Sequence, residues 1–499
     1  MFKQIETYFP PELKPRPEQI EALRQVQSAW KDSDVIVLQL PTAFGKTAIA
    51  QTIMKWCGGA AYVAPNNMLV KQFQLAAPKV PTLYAADMYD CHITCSHVVK
   101  GKRKHAPDCA YVKDLRGMMN KYRKSSNTNL HMLVARNLHK ETLIVDEAHL
   151  AIGYVQSWNS TKVRHSRWKY PRYNGGYVKR EELLQWIQSL VNWERIVESP
   201  GDGEKGVSVL YKELTSDSPR YIISEKEENY FDRSEKRYYP EKVLALTPVD
   251  PRGMYNPLWP PTQVKKLILM SATFSHTDLE SLSLEKRRVT WIGAPSPIPP
   301  DRRPVTLDTT IGPLNYRNQL ELAPQLAHTI GEILQKYPND KGLVHVTYQM
   351  ADLLRRHLTS GELPEVVTRR LMFHSKSNKA EVFDRFRESG EAKVLVASGM
   401  YEGIDLPYDA GRFQIITKVP WPSLAEPAIK YFADTNPKWY KWQVTKTMLQ
   451  AYGRICRGTE DFGATYILDG SFERLHEQDA SNYPSWFDAA YTTRGETDA

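Results

Sequence analysis

Leu40-Pro-Thr-Ala-Phe-Gly-Lys-Thr47 is the stretch that decides how this chain reads. It follows the apolar run Val35-Ile-Val-Leu38 and precedes Ala48-Ile-Ala-Gln-Thr-Ile-Met54. The order is strand, turn, helix, the context that a phosphate-binding P-loop requires. Backbone N–H groups of such a turn, including those of Ala43, Phe44 and Gly45, cradle a triphosphate together with the positive end of the following helix. Lys46 would reach the β- and γ-phosphates of ATP, and Thr47 would hold Mg²⁺. Leu40 stands where the first Gly is usual and Ala43 where a second is common. The backbone there must manage with a Cβ in place.

A second apolar run, Thr142-Leu-Ile-Val145, leads straight into Asp146-Glu-Ala-His149. A buried strand ending in two carboxylates is the other half of an ATPase site: Asp146 would join Thr47 around Mg²⁺ and Glu147 would polarise the attacking water. Upstream, Arg16-Pro-Glu-Gln19 opens a pattern of Ile20, Leu23 and Val26 at helical spacing, which puts Gln19 at a helix start. There it could read an adenine edge, cap the helix or simply face solvent. Ala60-Ala-Tyr-Val-Ala64 reads as another buried strand, followed by a helix from Met68.

The 499 residues suffice for two or three domains. Lys and Arg exceed Asp and Glu by 66 − 57 = +9, with basic clusters at Lys100–Lys104 and Lys121–Lys124. That balance suits a polyanionic partner as well as it suits plain solvated surface. No run approaches the roughly 18 apolar residues of a membrane span, and the N-terminus lacks a signal-peptide core. The expected location is cytoplasmic, nucleoid-associated in a prokaryotic or viral setting. Five cysteines without a signal argue against a disulfide framework.

Between Tyr84 and Arg123 the periodicity fades and Cys, His, Lys and Arg take over, as an insertion of about 84–123 containing Cys91, Cys95 and Cys109. A second insertion, about 154–242, is rich in aromatics and basic residues. Its Trp158, Trp168, Trp186 and Trp193 either stack nucleic-acid bases or form the core of a small domain. Leu267-Ile-Leu-Met270 then runs into Ser271-Ala-Thr273, and the Pro-rich Ala294–Pro304 reads as a stiff connector. Beyond it Gly342–Val346, Lys393–Ala397, Gln414–Thr417 and Ala464–Leu468 alternate with helical patterns, which predicts a second parallel sheet. The fold class is α/β with two parallel-sheet lobes and insertions in the first. The expected divisions are 1–153, 154–242, 243–304, 305–480 and a tail at 481–499, with polar, fraying chain from Asp469.

In the second lobe Glu402-Gly-Ile-Asp405 follows a strand, and Gln450-Ala-Tyr-Gly-Arg-Ile-Cys-Arg457 begins a short helical segment. Gln450, Arg454 and Arg457 recur three or four apart, so the spacing predicts one helical face presenting an amide and two guanidiniums. Such a face suits the γ-phosphate of a nucleotide, because arginine stabilises charge on a transferring phosphoryl group.

With these residues in this order, the chain resembles a superfamily-two DNA helicase of the XPD/DinG type. The matching motifs are Leu40–Thr47, Pro65–Gln72, Asp146–His149, Ser271–Thr273, Gly342–Tyr348, Gly399–Asp405 and Gln450–Arg457. Leu246–Pro251 and the Trp421-Pro-Ser423 turn favour this branch. The resemblance implies two RecA-like lobes with ATP and Mg²⁺ between them, Gly403 and Asp405 in the nucleotide site, and movement on single-stranded and forked DNA, 5′ to 3′, as a monomer. It also implies an iron–sulfur insertion before Asp146 and an arch-like domain after it. The family uses four cysteines where this insertion has three, with His92, His97 and His105 nearby, so a [4Fe–4S] cluster, Zn²⁺ or no metal remain open at Cys91, Cys95 and Cys109. No exonuclease domain is expected ahead of the motor motifs, since Gln19 opens them almost at once. The rival reading is a remodeller that uses the same ATPase for branch migration or protein displacement. A non-enzymatic clamp would need a dead ATPase, and Lys46, Thr47, Asp146, Glu147, Arg454 and Arg457 are all present.

Overall fold

The computed structural model describes residues 3–85, 88–89, 98–99, 102–103, 110–119, 125–172, 179–201, 203–216, 220–232, 237–260, 262–361, 363–401 and 405–494. By their contacts they form two units, one of Met1–Leu38, Thr47–Ile292 and Leu424–Thr435, the other of Gln39–Lys46, Gly293–Ser423 and Asn436–Ala499.

The chain enters its first sheet with β1 (Val35–Gln39), β2 (Ala61–Ala64) and β3 (Thr82–Leu83). After a small ribbon of β4 (Val98–Val99) and β5 (Lys102–Arg103) come β6 (Ser126–Asn129) and β7 (Thr142–Val145). A three-stranded insertion, β8 (Thr161–Arg164), β9 (Tyr221–Asp232) and β10 (Arg237–Pro248), precedes β11 (Lys266–Ser271) and β12 (Val289–Gly293). The main sheet has the order β12-β1-β11-β7-β2-β6-β3, and the pairs β11·β7, β7·β2, β2·β6 and β6·β3 are parallel. Strands covered on both faces read as continuous apolar runs. Accordingly Val35–Leu38, Val63, Leu143–Val145 and Leu267–Met270 are fully buried.

β6 breaks that rule, being Ser-Asn-Thr-Asn and yet buried. Its polar side chains carry their own partners: Asn127 donates to the Val70 carbonyl at 2.9 Å and to Thr82 at 3.1 Å, and Thr128 donates to the Leu83 carbonyl at 2.8 Å. Asn129 caps the helix Leu130–Ala135 by accepting from Met132 N at 2.8 Å. A strand whose polarity is satisfied internally carries no apolar signature, and the sequence pattern passes over it.

In the insertion β10 pairs antiparallel with both β8 and β9. Val163, Leu183, Ile187, Ile196, Val207, Leu210, Leu244 and Leu246 form its core, drawn from these strands and the helices Arg180–Gln188, Trp193–Glu198 and Lys205–Leu214. Trp168, Trp186 and Trp193 pack against it half-buried, which is the core alternative for three of the four tryptophans. Trp158 is exposed.

The second sheet follows as β13 (Val305–Leu307), β14 (Gly342–Val346), β15 (Leu371–Phe373), β16 (Val394–Ser398), β17 (Phe413–Ile416), β18 (Ala464–Ile467) and β19 (Tyr491–Thr493). Its order is β15-β16-β14-β17-β18-β13-β19, parallel at every pairing. The helix Gln319–Lys336 covers it with Leu326, Ile330 and Leu334, one side of the helix at a spacing of four. Through Arg494 the chain beyond Asp469 does not fray as expected. Asp469 is fully buried and accepts from the backbone N–H of Leu314, Val419 and Ser471, while Phe472, Leu475 and Phe487 pack into the core and β19 adds an edge strand on β13. Scattered aromatics do this work, and a polar average conceals them. Among the described residues, no helix is long and apolar enough to cross a membrane.

Candidate active site

β1, β11 and β7 are neighbours in the first sheet, and all three lead at their C-terminal ends into residues singled out above. Ligands of open parallel sheets bind at that edge. At the end of β7, Asp146 is 6% exposed and holds its carboxylate between two donors. Oδ1 accepts from Glu147 N at 3.0 Å, and Oδ2 accepts from the Tyr62 hydroxyl at 2.5 Å. Burial, with the Asp146 charge beside it, raises the Tyr62 phenol well above its ordinary range, so it stays a donor.

Glu147 adopts φ 45°, ψ 51°, in the left-handed region. For a non-glycine residue that costs roughly 1–3 kcal/mol and needs a surrounding structure that imposes it. Here the turn is imposed by Leu150 N donating to the Glu147 carbonyl at 2.9 Å and by the bond from Glu147 N to Asp146. Glu147 Oε2 lies 3.5 Å from His149 Nδ1, which shares a 2.9 Å hydrogen bond with Ser271 Oγ. Ser271 Oγ in turn accepts from Thr273 N at 3.1 Å. A polar chain therefore links Glu147 to Ser271–Thr273 within the first unit.

The P-loop turn keeps two left-handed corners with only one glycine: Gly45 stands at φ 86° and Ala43 at φ 62°. Phe44 is buried, Gly45 is exposed, and Lys46 and Thr47 are half-buried at the head of the helix Lys46–Trp56. An exposed glycine turn running into an 11-residue helix fits a phosphate chain. One hydroxyl and one carboxylate, Thr47 and Asp146, suit Mg²⁺, which keeps most of its waters and takes few protein ligands. Gln19 is buried, and its Oε1 accepts the backbone N–H of Arg16 at 2.9 Å in a capping box at the start of the helix Pro17–Ala29. The capping alternative is thus realised in the structure.

In the second unit the single helical face expected for Gln450, Arg454 and Arg457 is not formed. The helix Pro437–Tyr452 ends two residues after Gln450, and the chain leaves it through Gly453. Ile455 forms a parallel bridge with Leu406, and Cys456 turns through φ 59°. The pairing with the chain after β16 competes with, and overrides, the helical spacing. Arg454 Nε still donates to the Gln450 carbonyl at 2.8 Å, and Gln450 is buried. Arg457 is joined to Asp405 by an ion pair through its Nε, with its Nη1 on the Gly453 carbonyl at 3.0 Å. The structure thus brings Asp405 and Arg457 together, a pairing that spacing alone did not suggest. Below them His345 on β14 is fully buried, hydrogen-bonded to Gln414 at 3.1 Å and stacked on Tyr401. Gly403 and Cys91, Cys95 and Cys109 lie outside the described residues. Among the described residues no group of three or more His, Cys, Asp or Glu side chains is arranged for a metal ion. Tyr62 is the functional candidate that the sequence reading missed, its only signal being one hydroxyl inside an otherwise apolar run.

Two parallel sheets, one leading into a phosphate turn and a carboxylate pair and the other into a loop with two arginines, make up an arrangement like that of helicases. Comparison with known proteins gives the same answer. Residues 12–167 match the family of the type III restriction enzyme res subunit, and residues 330–489 match the helicase C-terminal domain. Over 116 residues, 20% of this chain, it is 29% identical to a regulator of telomere elongation helicase 1 homolog from Drosophila virilis, and over 136 residues, 22% of the chain, 28% identical to the Bos taurus regulator of telomere elongation helicase 1. The matches span only 12% and 11% of those two relatives' lengths. Among solved structures, S. tokodaii Xpd4 superposes with a TM-score of 0.58 at 13% identity, covering 96% of this chain and all of that one. A chain described as an XPD helicase gives 0.56 at 14%, again over 96% of this chain and all of the other. At these identities the likeness speaks for the fold. Together the matches make the chain similar to superfamily-two DNA helicases of the XPD/DinG type, which are ATP-dependent enzymes as a class.

Proposed function

We propose that this chain hydrolyses ATP to move 5′ to 3′ along single-stranded DNA and to separate strands at a fork. The observation that carries the reading is the carboxylate pair at the end of β7. Asp146 is buried, ionisable and held by two donors, and Glu147 is forced into a strained turn and linked to Ser271 through His149.

In this reading the turn Ala43–Gly45 and Lys46 bind the β- and γ-phosphates, and Thr47 and Asp146 hold Mg²⁺. When bound, the ion would offset charge building on the phosphate oxygens. Glu147 orients and polarises the water that attacks the γ-phosphate. Arg454, with Arg457 released from Asp405, stabilises the charge of the transferred group. The chain Glu147–His149–Ser271–Thr273 offers a route by which the state of the carboxylate site reaches the strand-end residues of β11. Basic clusters and the +9 balance support a polyanionic track. For Cys91, Cys95 and Cys109 we hold to the metal reading, iron–sulfur or zinc, which elemental analysis of anaerobically purified protein decides.

The test is strand separation on duplexes that carry only a 5′ tail or only a 3′ tail, with ATP and Mg²⁺. The expected result is unwinding of the 5′-tailed duplex. Unwinding confined to the 3′-tailed duplex contradicts the direction. DNA-stimulated hydrolysis with unwinding of neither duplex contradicts strand separation and supports the remodeller.

A further inference from the structure

We propose that Tyr62 is a positioning residue for the metal-nucleotide site, acting through Asp146. The inference rests on the reading of Asp146 as a Mg²⁺-holding carboxylate.

Tyr62 lies in the middle of β2, whose partner β7 carries Asp146 at its end, and the ladder continues past the strand with Asp146 N donating to the Val63 carbonyl at 2.8 Å. This brings residues 84 positions apart into contact. The phenol is 2% exposed, and its ring stacks on Phe73 at 3.8 Å between centroids and 18° between planes. Phe73 belongs to the helix Asn67–Ala76, whose start is capped by Asn66 accepting from Leu69 N. The ring is therefore clamped between sheet and helix, and its hydroxyl has a fixed aim.

That aim is Asp146 Oδ2, at 2.5 Å. The distance is that of a charge-assisted O–H···O⁻ bond, which is roughly twice as strong as a neutral one. A carboxylate offers about four lone-pair directions, and here Tyr62 and Glu147 N claim one on each oxygen. The plane of the carboxylate is thereby set before a ligand arrives. Preorganisation of this kind, by the neighbours of a metal-holding group, typically changes metal affinity by roughly 10- to 100-fold. The stack on Phe73 also ties the carboxylate's orientation to the position of the helix Asn67–Ala76, so a shift of that helix moves the Tyr62 hydroxyl relative to Asp146.

The experiment measures binding of a fluorescent, non-hydrolysable ATP analogue to the full chain, at Mg²⁺ concentrations from zero to saturation. In Tyr62→Phe, which keeps the ring and its stack, the Mg²⁺ concentration for half-maximal enhancement should rise about tenfold, while Mg²⁺-free binding stays as in the wild type. A purely structural role would weaken both alike or neither. In the Asp146→Asn background the Tyr62→Phe change should have no further effect on Mg²⁺ dependence, because the two act as one unit. Phe73→Leu, which leaves the hydroxyl but loosens the ring, should raise the Mg²⁺ requirement by a smaller factor. An unchanged Mg²⁺ requirement in both Tyr62→Phe and Phe73→Leu overturns the proposal, as does an undiminished Tyr62→Phe effect in the Asp146→Asn background. Lys46→Ala separates this failure from that of the nucleotide-site reading. If the analogue binds Lys46→Ala as well as wild type, the site itself is misread; if Lys46→Ala loses binding while Tyr62→Phe matches wild type, only Tyr62 is.

Discussion

Asp146 and Glu147 stand at the end of a fully buried strand, each within 3.5 Å of fixed partners, whereas Arg454 and Arg457 leave a helix through Gly453 and a left-handed Cys456 to lie on a turn. The difference follows from reach. An Asp or Glu side chain is short, so the backbone must place it, and at Glu147 it does so at the cost of strain. An arginine spans several bonds and ends in a planar fork, so its backbone can be looser and a partner can hold the head in readiness. In the proposed mechanism the Asp405–Arg457 pair is such a holder. With Arg457 28% and Asp405 59% exposed it contributes no more than about 1 kcal/mol, little enough to be exchanged for a phosphate.

The comparison breaks or sharpens first on turnover. Arg454→Ala should lower ATP turnover by roughly 10³–10⁵-fold with nucleotide binding largely kept, the range found for arginine fingers in phosphoryl transfer. Glu147→Gln should bind ATP normally and lose a smaller factor, roughly 10²–10⁴-fold, since only water activation is removed. Single-turnover hydrolysis and equilibrium binding, measured separately, give both numbers. Normal turnover in both Arg454→Ala and Arg457→Ala would remove the loop from the chemistry and leave the carboxylate edge alone.

The second effect is on stability and is confined to the region beneath the arginine loop. Burial lowers the His345 imidazole from its ordinary 6.5 to about 4, the Gln414 hydrogen bond opposing and the Arg454 charge assisting. The folded protein therefore refuses a proton that the unfolded chain accepts. Stability is full above pH 6.5 and falls as the pH drops toward 4, by about 3 kcal/mol for this group. Denaturant melts at pH 7.5, 6 and 5 should show wild type losing stability that His345→Gln, measured alongside to subtract the other titrating groups, does not lose. Equal pH slopes for the two proteins would contradict a neutral, buried His345.

Smallest is the strain in the phosphate turn. Ala43 at φ 62° carries a left-handed cost of roughly 1–2 kcal/mol that Ala43→Gly removes, offset by the roughly 0.5–1 kcal/mol of extra backbone freedom glycine brings to the unfolded chain. Thermal stability should stay within about 1 kcal/mol of wild type, with ATP binding intact. Ala43→Val, β-branched at positive φ, should lose both. If valine is tolerated, the turn does not hold the conformation described.

The fold was legible in the sequence wherever burial on both faces of a strand left an unbroken apolar run, as in Val35–Leu38, Thr142–Val145 and Val394–Ala397. It was hidden where polarity is satisfied internally, as in β6, and in the chain past Asp469, where a few aromatics pack amid polar neighbours. The candidate site was legible where chemistry needs a residue type at a strand end, as at Lys46, Asp146 and Glu147. Contacts made across the fold leave no local trace. The Tyr62–Asp146 bond joins residues 84 apart and the Arg457–Asp405 pair joins residues 52 apart, and neither periodicity nor motif spacing encodes them. Helical spacing even misled at Arg454 and Arg457, because the bridge from Ile455 to Leu406 outweighs it.

The central claim, that the phosphate turn and the carboxylate edge form one nucleic-acid-driven ATPase, is tested most directly by ATP hydrolysis in the purified chain with and without single-stranded DNA, alongside Lys46→Ala. The account predicts Mg²⁺-dependent hydrolysis that single-stranded DNA stimulates and that Lys46→Ala abolishes. Hydrolysis indifferent to DNA and surviving Lys46→Ala would contradict it.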